Sequence, residues 1–305
     1  MTTPLATPSS RDCAVFLTHV WTPAVSDHYS RLKREAGVVL DVYLAFQPSS
    51  SGVPVPTDMN PDIVIGLEQG ASLLPRRYAA YRKDSREAPW GYVDLVWCTA
   101  FLDPLLSGYD RFWLVEYDVD FSGDWRDFFA EAATFSGDLL ATRVRRRSDD
   151  PRYGHLGYFR MPEPAVEDPV IALFPISRLT RKLLESYRAE LAARDWQGHF
   201  EIVLPSVAAY LGLAIEEIGG DGPFTPPERR NRFYRGPFDL MSTYETTFNY
   251  RPVQSFHYFG EAPQNFREPN QLYHPVKTDQ SLWQSLRLLR ERSKHQWRTF
   301  KKRLR

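Results

Sequence analysis

Cysteine is scarce: the 305-residue chain holds two, Cys13 and Cys98, far apart in sequence. Neither a disulfide framework nor a cysteine zinc site can be assembled from that number. Both lie in apolar runs and read as small buried hydrophobes, which favours a reducing compartment. Net charge is missing as well. Lysine plus arginine and aspartate plus glutamate stand at 38 each, so the whole chain carries no electrostatic footprint for nucleic acid, and none is expected as a partner. No window approaches the roughly 18 consecutive apolar residues of a membrane-spanning helix. Residues 1–11 are polar and lack the basic start and apolar stretch of a secretory signal. They read as a disordered N-terminus, and the expected location is the cytoplasm.

What remains is ordinary globular usage, with 43% apolar and 25% charged residues, enough for a sizeable core. Apolar, β-branched runs at 13–20, 38–46, 111–117, 138–144, 170–176 and 213–218 read as strands. Between them, helical spacing covers 91–106, 178–193 and 200–211. Thr22 or Ser26 is placed to cap a helix that Gly37 ends, and Asp124 to cap one through Ala133. Strands alternating with helices predict an α/β sandwich with a mainly parallel central sheet. Ligands of such sheets bind beyond the carboxyl ends of the strands. Residues 219–278 are rich in Pro, Arg and aromatics without a period, the composition of a segment that lines or covers a site.

The strand at 111–117 breaks into Glu116-Tyr117-Asp118-Val119-Asp120. Side chains two apart share a strand face, so Glu116, Asp118 and Asp120 converge if the strand continues. Converging carboxylates repel unless a cation lies between them, and oxygen ligands of this kind suit Mg²⁺ or Mn²⁺, which in turn bind phosphate.

The segment Phe112-Trp-Leu-Val-Glu-Tyr-Asp-Val-Asp-Phe-Ser-Gly-Asp-Trp125 resembles the metal-binding segment of GT-A glycosyltransferases: a hydrophobic strand, an acidic triplet, a short loop and an aromatic-rich helix. The resemblance implies a GT-A-like, Rossmann-type α/β/α sandwich over residues 12–278. It also implies transfer of a hexosyl or N-acetylhexosaminyl group, with inversion the favoured outcome, from a nucleotide-diphosphate sugar, UDP favoured, to a saccharide or glycan. In one register the family's Asp-x-Asp falls on Asp118 and Asp120; in the other its acidic triplet falls on Glu116, Tyr117 and Asp118. Asp118 is common to both. Late in the chain, Leu272-Tyr-His-Pro-Val-Lys277 resembles the family's late-histidine segment, so His274 is implied as a further metal ligand and Lys277 as a contact to the diphosphate. Glu201, at a helix start after Gly198-His199-Phe200, is implied as catalytic base, with His199 second. Thr18, His19 and Asp94 are implied at the nucleotide, and Glu116 at the ribose or metal-bound water. Arg178, beside an expected helix start, is placed for an acceptor or phosphate. The Arg143, Arg145, Arg146, Arg147 run reads as a solvated face.

Residues 281–305 hold nine Lys or Arg against one Glu, with Leu282, Leu286, Leu289, Trp297, Phe300 and Leu304 on one helical face. An amphipathic basic helix over 279–305 either packs on the domain or attaches to the inner face of an anionic membrane. The latter suits an enzyme of polysaccharide biosynthesis. Two other readings compete: a GT-A-like scaffold that binds nucleotide or sugar without transfer, and a haloacid-dehalogenase-type phosphatase, since Asp118-Val-Asp120-Phe-Ser122 is close to that family's Asp-x-Asp-x-Thr.

Overall fold

A computed structural model describes residues 11–48, 53–84, 90–163, 166–236, 247–248, 268–276 and 297. Lys277 and, apart from Trp297, the basic segment at 281–305 lie outside them, as do residues 1–10.

Seven strands form one sheet. Their ranges are β1 (Asp12–Thr18), β2 (Asp41–Phe46), β3 (Ile63–Val64), β4 (Arg111–Glu116), β6 (Leu139–Arg146), β7 (Val170–Thr180) and β8 (Ile215–Glu217). The order is β3-β2-β1-β4-β7-β6-β8. Every neighbouring pair is parallel except those made by β7, which runs against both β4 and β6. A separate two-stranded ribbon pairs β5 (Asp120–Phe121) with β9 (Leu272–Tyr273).

Alternation along the strands explains the layers. Cys13, Val15 and Leu17 of β1 and Phe112 and Leu114 of β4 pack into one core. Around it lie α2 (Gly70–Leu73), α3 (Pro75–Lys83), α4 (Val93–Phe101), α6 (Arg181–Ala193) and α7 (Phe200–Tyr210). Ala14, Phe16, Trp113 and Val115 face the opposite core with α1 (Pro23–Ala36) and α5 (Trp125–Ala132). The result is a Rossmann-type α/β/α sandwich with a mostly parallel sheet. Thr22, rather than Ser26, caps α1 by accepting the Val25 N–H at 3.3 Å. No helix among the described residues is long and apolar enough to cross a membrane.

Two expectations at arginines fail for the same reason. Strand β7 runs on to Thr180, whose hydroxyl caps α6, so Arg178 lies inside a strand and not at a helix start. It is fully buried and donates to the carbonyls of Ala132 (3.3 Å), Phe135 (2.6 Å) and Gly137 (3.0 Å) at the end of α5. No acceptor or phosphate can reach it there. The arginine run is half internal: Arg143 and Arg145 are buried, and Arg145 pairs with Asp150 at 3.0 Å.

Beside that run, Glu217 at the end of β8 is 1% exposed and accepts the Tyr234 hydroxyl. Burial pushes its carboxyl up from 4.5 to about 7. Between those values the folded chain holds a proton that the unfolded chain releases, so stability falls as pH rises through the window. At about 1.4 kcal/mol per pH unit the loss approaches ~3 kcal/mol. Urea unfolding of wild type and Glu217→Gln at pH 5 and pH 8 is expected to show the wild type losing that much relative to the variant. Parallel behaviour of the two chains at both pH values would remove Glu217 as the cause.

Candidate active site

Strand β4 stops at Glu116, and the chain turns at once, with the Val119 N–H on the Glu116 carbonyl at 3.0 Å. The two-residue alternation ends with the strand, so the three acids do not share a face. Helix α1 holds the turn in place. Arg31 donates to Asp120 Oδ1 at 2.6 Å and to the carbonyls of Phe121 (2.7 Å) and Gly123 (2.8 Å). The buried His28 donates from Nε2 to the Val119 carbonyl at 2.7 Å, since a carbonyl can only accept; burial lowers its pKa. Asp120 also accepts the Phe121 N–H at 2.6 Å. It anchors the turn and is not gathered with Glu116 and Asp118.

The third member of that cluster arrives from the far end of the chain. Ribbon strand β9 pairs with β5, and the Val276 N–H bonds the Asp118 carbonyl at 2.8 Å. This brings His274 Nε2 to 3.6 Å from Asp118 Oδ1, both side chains 8% exposed. Ligand atoms of Glu116, Asp118 and His274 all lie within 4.8 Å of one another. Two carboxylates and an imidazole at that spacing fit a Mn²⁺ or Mg²⁺ ion, the imidazole favouring the softer Mn²⁺.

A cavity of about 550 Å³ opens on this cluster. Thr18 and His19 from the end of β1, Gln47 after β2 and Val93 of α4 line it. So do Glu116, Tyr117, Asp118 and His274, together with Arg152, Tyr153, His155, His199 and Glu201. The His19 ring meets Tyr117 edge-on at 5.0 Å. Thr18, His19, Glu116, Asp118, His199, Glu201 and His274, named from sequence alone, therefore meet in one space. Asp94 does not: it is wholly buried against Arg77, and the adjacent Val93 supplies the wall.

His199 caps α7 by accepting the Glu201 N–H on Nδ1 at 3.3 Å, which leaves the proton of the neutral ring on Nε2. Burial first, then His155 and Arg77, push its pKa down to about 3. Its ring stacks on His155 at 3.9 Å and 23°, and Tyr153 donates its hydroxyl to Glu201. Ligand atoms of His155, His199 and Glu201 also lie within 4.8 Å. Nearly parallel rings do not aim their in-plane lone pairs at one point, and the His199 Nδ1 lone pair is already engaged. This group is better suited to handling a proton than to holding an ion. Tyr153 and His155 escape a reading of the sequence because they lie at the start of a short 3₁₀ turn, residues 154–158, with no periodicity to announce it.

No protein-family model matches the chain, and no curated protein does. Among solved structures it is similar to the mannosyltransferase Ktr4p from S. cerevisiae, at 12% identity over 70% of each chain with a TM-score of 0.38. The same protein in complex with GDP aligns at 10% identity over 68% of this chain and 69% of that one, TM-score 0.36. A Bacillus anthracis protein assigned as a glucose-1-phosphate thymidylyltransferase, in complex with a sucrose, aligns at 12% identity over 68% of this chain and 86% of that one, TM-score 0.31.

Proposed function

We propose that the chain is a metal-dependent glycosyltransferase that moves a sugar from a nucleotide-diphosphate donor, UDP favoured, to a hydroxyl of a saccharide or glycan with inversion. The observation that carries this reading is the pairing, across one cavity at the carboxyl ends of β1 and β4, of a cation-binding cluster with a carboxylate–imidazole pair at a helix head. Asp118, Glu116 and His274 would hold a Mn²⁺ or Mg²⁺ ion, which would supply Lewis-acid neutralisation of the leaving diphosphate. Thr18, His19 and Gln47, which line the same cavity, would contact the nucleoside. Glu201 takes the proton of the acceptor hydroxyl, its carboxylate oriented by the Tyr153 hydroxyl. Holding donor and acceptor in one space supplies much of the remaining rate.

The phosphatase reading needs Asp120 free as the second acid of its motif. Asp120 is committed to Arg31 and the turn, which disfavours that reading.

The test is thermal and urea stability of wild type and Asp118→Ala, with and without Mn²⁺, against UDP, GDP, CDP and ADP. A ligand specific to the folded state stabilises it by about 2.7 kcal/mol at a hundredfold excess over its Kd. A shift of that order is expected with UDP, only with the cation present, and lost in Asp118→Ala. No shift with any nucleotide would sink the proposal. Cation-dependent binding without turnover in a transfer assay would mark a non-catalytic nucleotide-binding scaffold instead.

A further inference from the structure

Arg77 leaves helix α3 pointing inward and is 2% exposed. Its guanidinium is engaged on three sides. Nε and Nη2 grip the two oxygens of Asp94 at 2.8 and 3.1 Å, Nη1 reaches the Gly198 carbonyl at 2.8 Å, and Nη2 also reaches the Gly91 carbonyl at 3.2 Å. The Tyr92 ring lies 4.6 Å from the guanidinium carbon. Asp94 in turn accepts the Tyr187 hydroxyl from α6 at 2.6 Å.

The two carbonyls belong to segments that pack on each other beside the cavity, the turn before α4 and the head of α7. Gly91 leads into Val93, which lines the cavity. Gly198 immediately precedes His199 and Glu201. Gly198 has φ +120°, and a Cβ there would meet Phe159 Cα at 2.9 Å. This backbone path is open only to glycine.

We propose that Arg77 is a positioning residue that ties the Gly198 carbonyl to Asp94 and so holds the head of α7, with His199 and Glu201, in its working place in the cavity. This rests on the reading of Glu201 as base. A buried ion pair is a poor source of net stability compared with apolar packing, so its use here is better explained by geometry. The planar fork fixes four bonds in set directions, whereas a lysine ammonium cannot span both carbonyls and both carboxylate oxygens. A catalytic group displaced by about 1 Å is enough to lower a rate by roughly a hundredfold.

The experiment compares the full-length wild type with Arg77→Lys, and with Tyr187→Phe as control. The control loosens Asp94 without touching either carbonyl. Two readouts are taken: the ¹⁵N–¹H signals of the His199 imidazole without ligand, and kcat and donor KM for transfer. In wild type the imidazole is expected as the Nε2–H tautomer with Nδ1 accepting. In Arg77→Lys it is expected to shift toward mixed tautomers, and kcat to fall about ten- to a hundredfold with donor KM within threefold. Tyr187→Phe is expected to lose stability with kcat and His199 unchanged. Unaltered His199 signals in a folded Arg77→Lys chain would overturn the proposal, whatever happens to stability. If Arg77→Lys does not fold, Asp94→Asn gives the same two readouts. A wild type without transfer would sink the base assignment alone, while the His199 signals still decide the role of Arg77.

Discussion

Glu201→Gln is expected to lower kcat by about 10²–10⁴, the usual contribution of a positioned general base, while leaving cation-dependent nucleotide binding unchanged. The two effects separate because the two groups come from different parts of the fold. Glu201 enters the cavity from the head of α7, whereas Asp118 and Glu116 sit at the end of β4 and His274 follows β9. Glutamine keeps the size of the side chain, and its carbonyl can still accept the Tyr153 hydroxyl, so the cavity keeps its shape. What it loses is the ability to accept a proton from the acceptor. Single-turnover and steady-state transfer, measured beside the nucleotide thermal shift, check this directly. A variant that keeps kcat within threefold would place the base elsewhere or indicate retention of configuration. A variant that also loses nucleotide binding would mean that Glu201 supports the cation cluster.

Local pattern carries a good part of this site. A hydrophobic strand that breaks into acids is visible because β4 is buried on both faces, so its residues are apolar until the sheet ends. The head of α7 is visible because a capping residue and an acid in the first turn precede an apolar helix. Less legible is everything fixed by a partner distant in sequence. Asp120 looks equivalent to Asp118 within its own pentapeptide; Arg31, 89 residues earlier, decides that it anchors the turn. Asp94 sits on a helix that the resemblance associates with the nucleotide; Arg77 and Tyr187 take both of its oxygens into the core.

The fold shows the same division. Strand alternation and helix caps locate most of the sheet and both helical layers. The boundary between β7 and α6 is misread from sequence because Ser177 is a good capping residue and the helical spacing of α6 extends back through Arg178. Pairing with β4 and β6 carries the strand four residues further, to a second capping residue, Thr180. Tertiary pairing wins over local signal there. Helices α2 and α3 give no readable sequence signal, because their short apolar periods are interrupted by Pro75 and by arginines, one of which is the buried Arg77.

That misread boundary hides a residue of large structural effect. Arg178→Ala is expected to destabilise the chain by about 3–5 kcal/mol. Burial lowers the Arg178 pKa to about 10, so the side chain is still charged at neutral pH and bears a desolvation cost. Removing the charge recovers that cost, and this alone would stabilise. Three opposing effects outweigh it. The carbonyls of Ala132, Phe135 and Gly137 lose their buried donor, at about 1–3 kcal/mol for each group left unsatisfied. The C-terminal end of α5 loses the cation that complements its dipole. A void opens beside Trp113, over which the guanidinium now sits at 5.7 Å. Arg178→Lys restores charge and some volume but reaches fewer carbonyls, so about half of the loss is expected. Urea unfolding of the three chains checks the order wild type, then lysine, then alanine. A change below about 1 kcal/mol for Arg178→Ala would mean that water replaces the guanidinium at the carbonyls, and that the desolvation cost, not the hydrogen bonds, dominates this site.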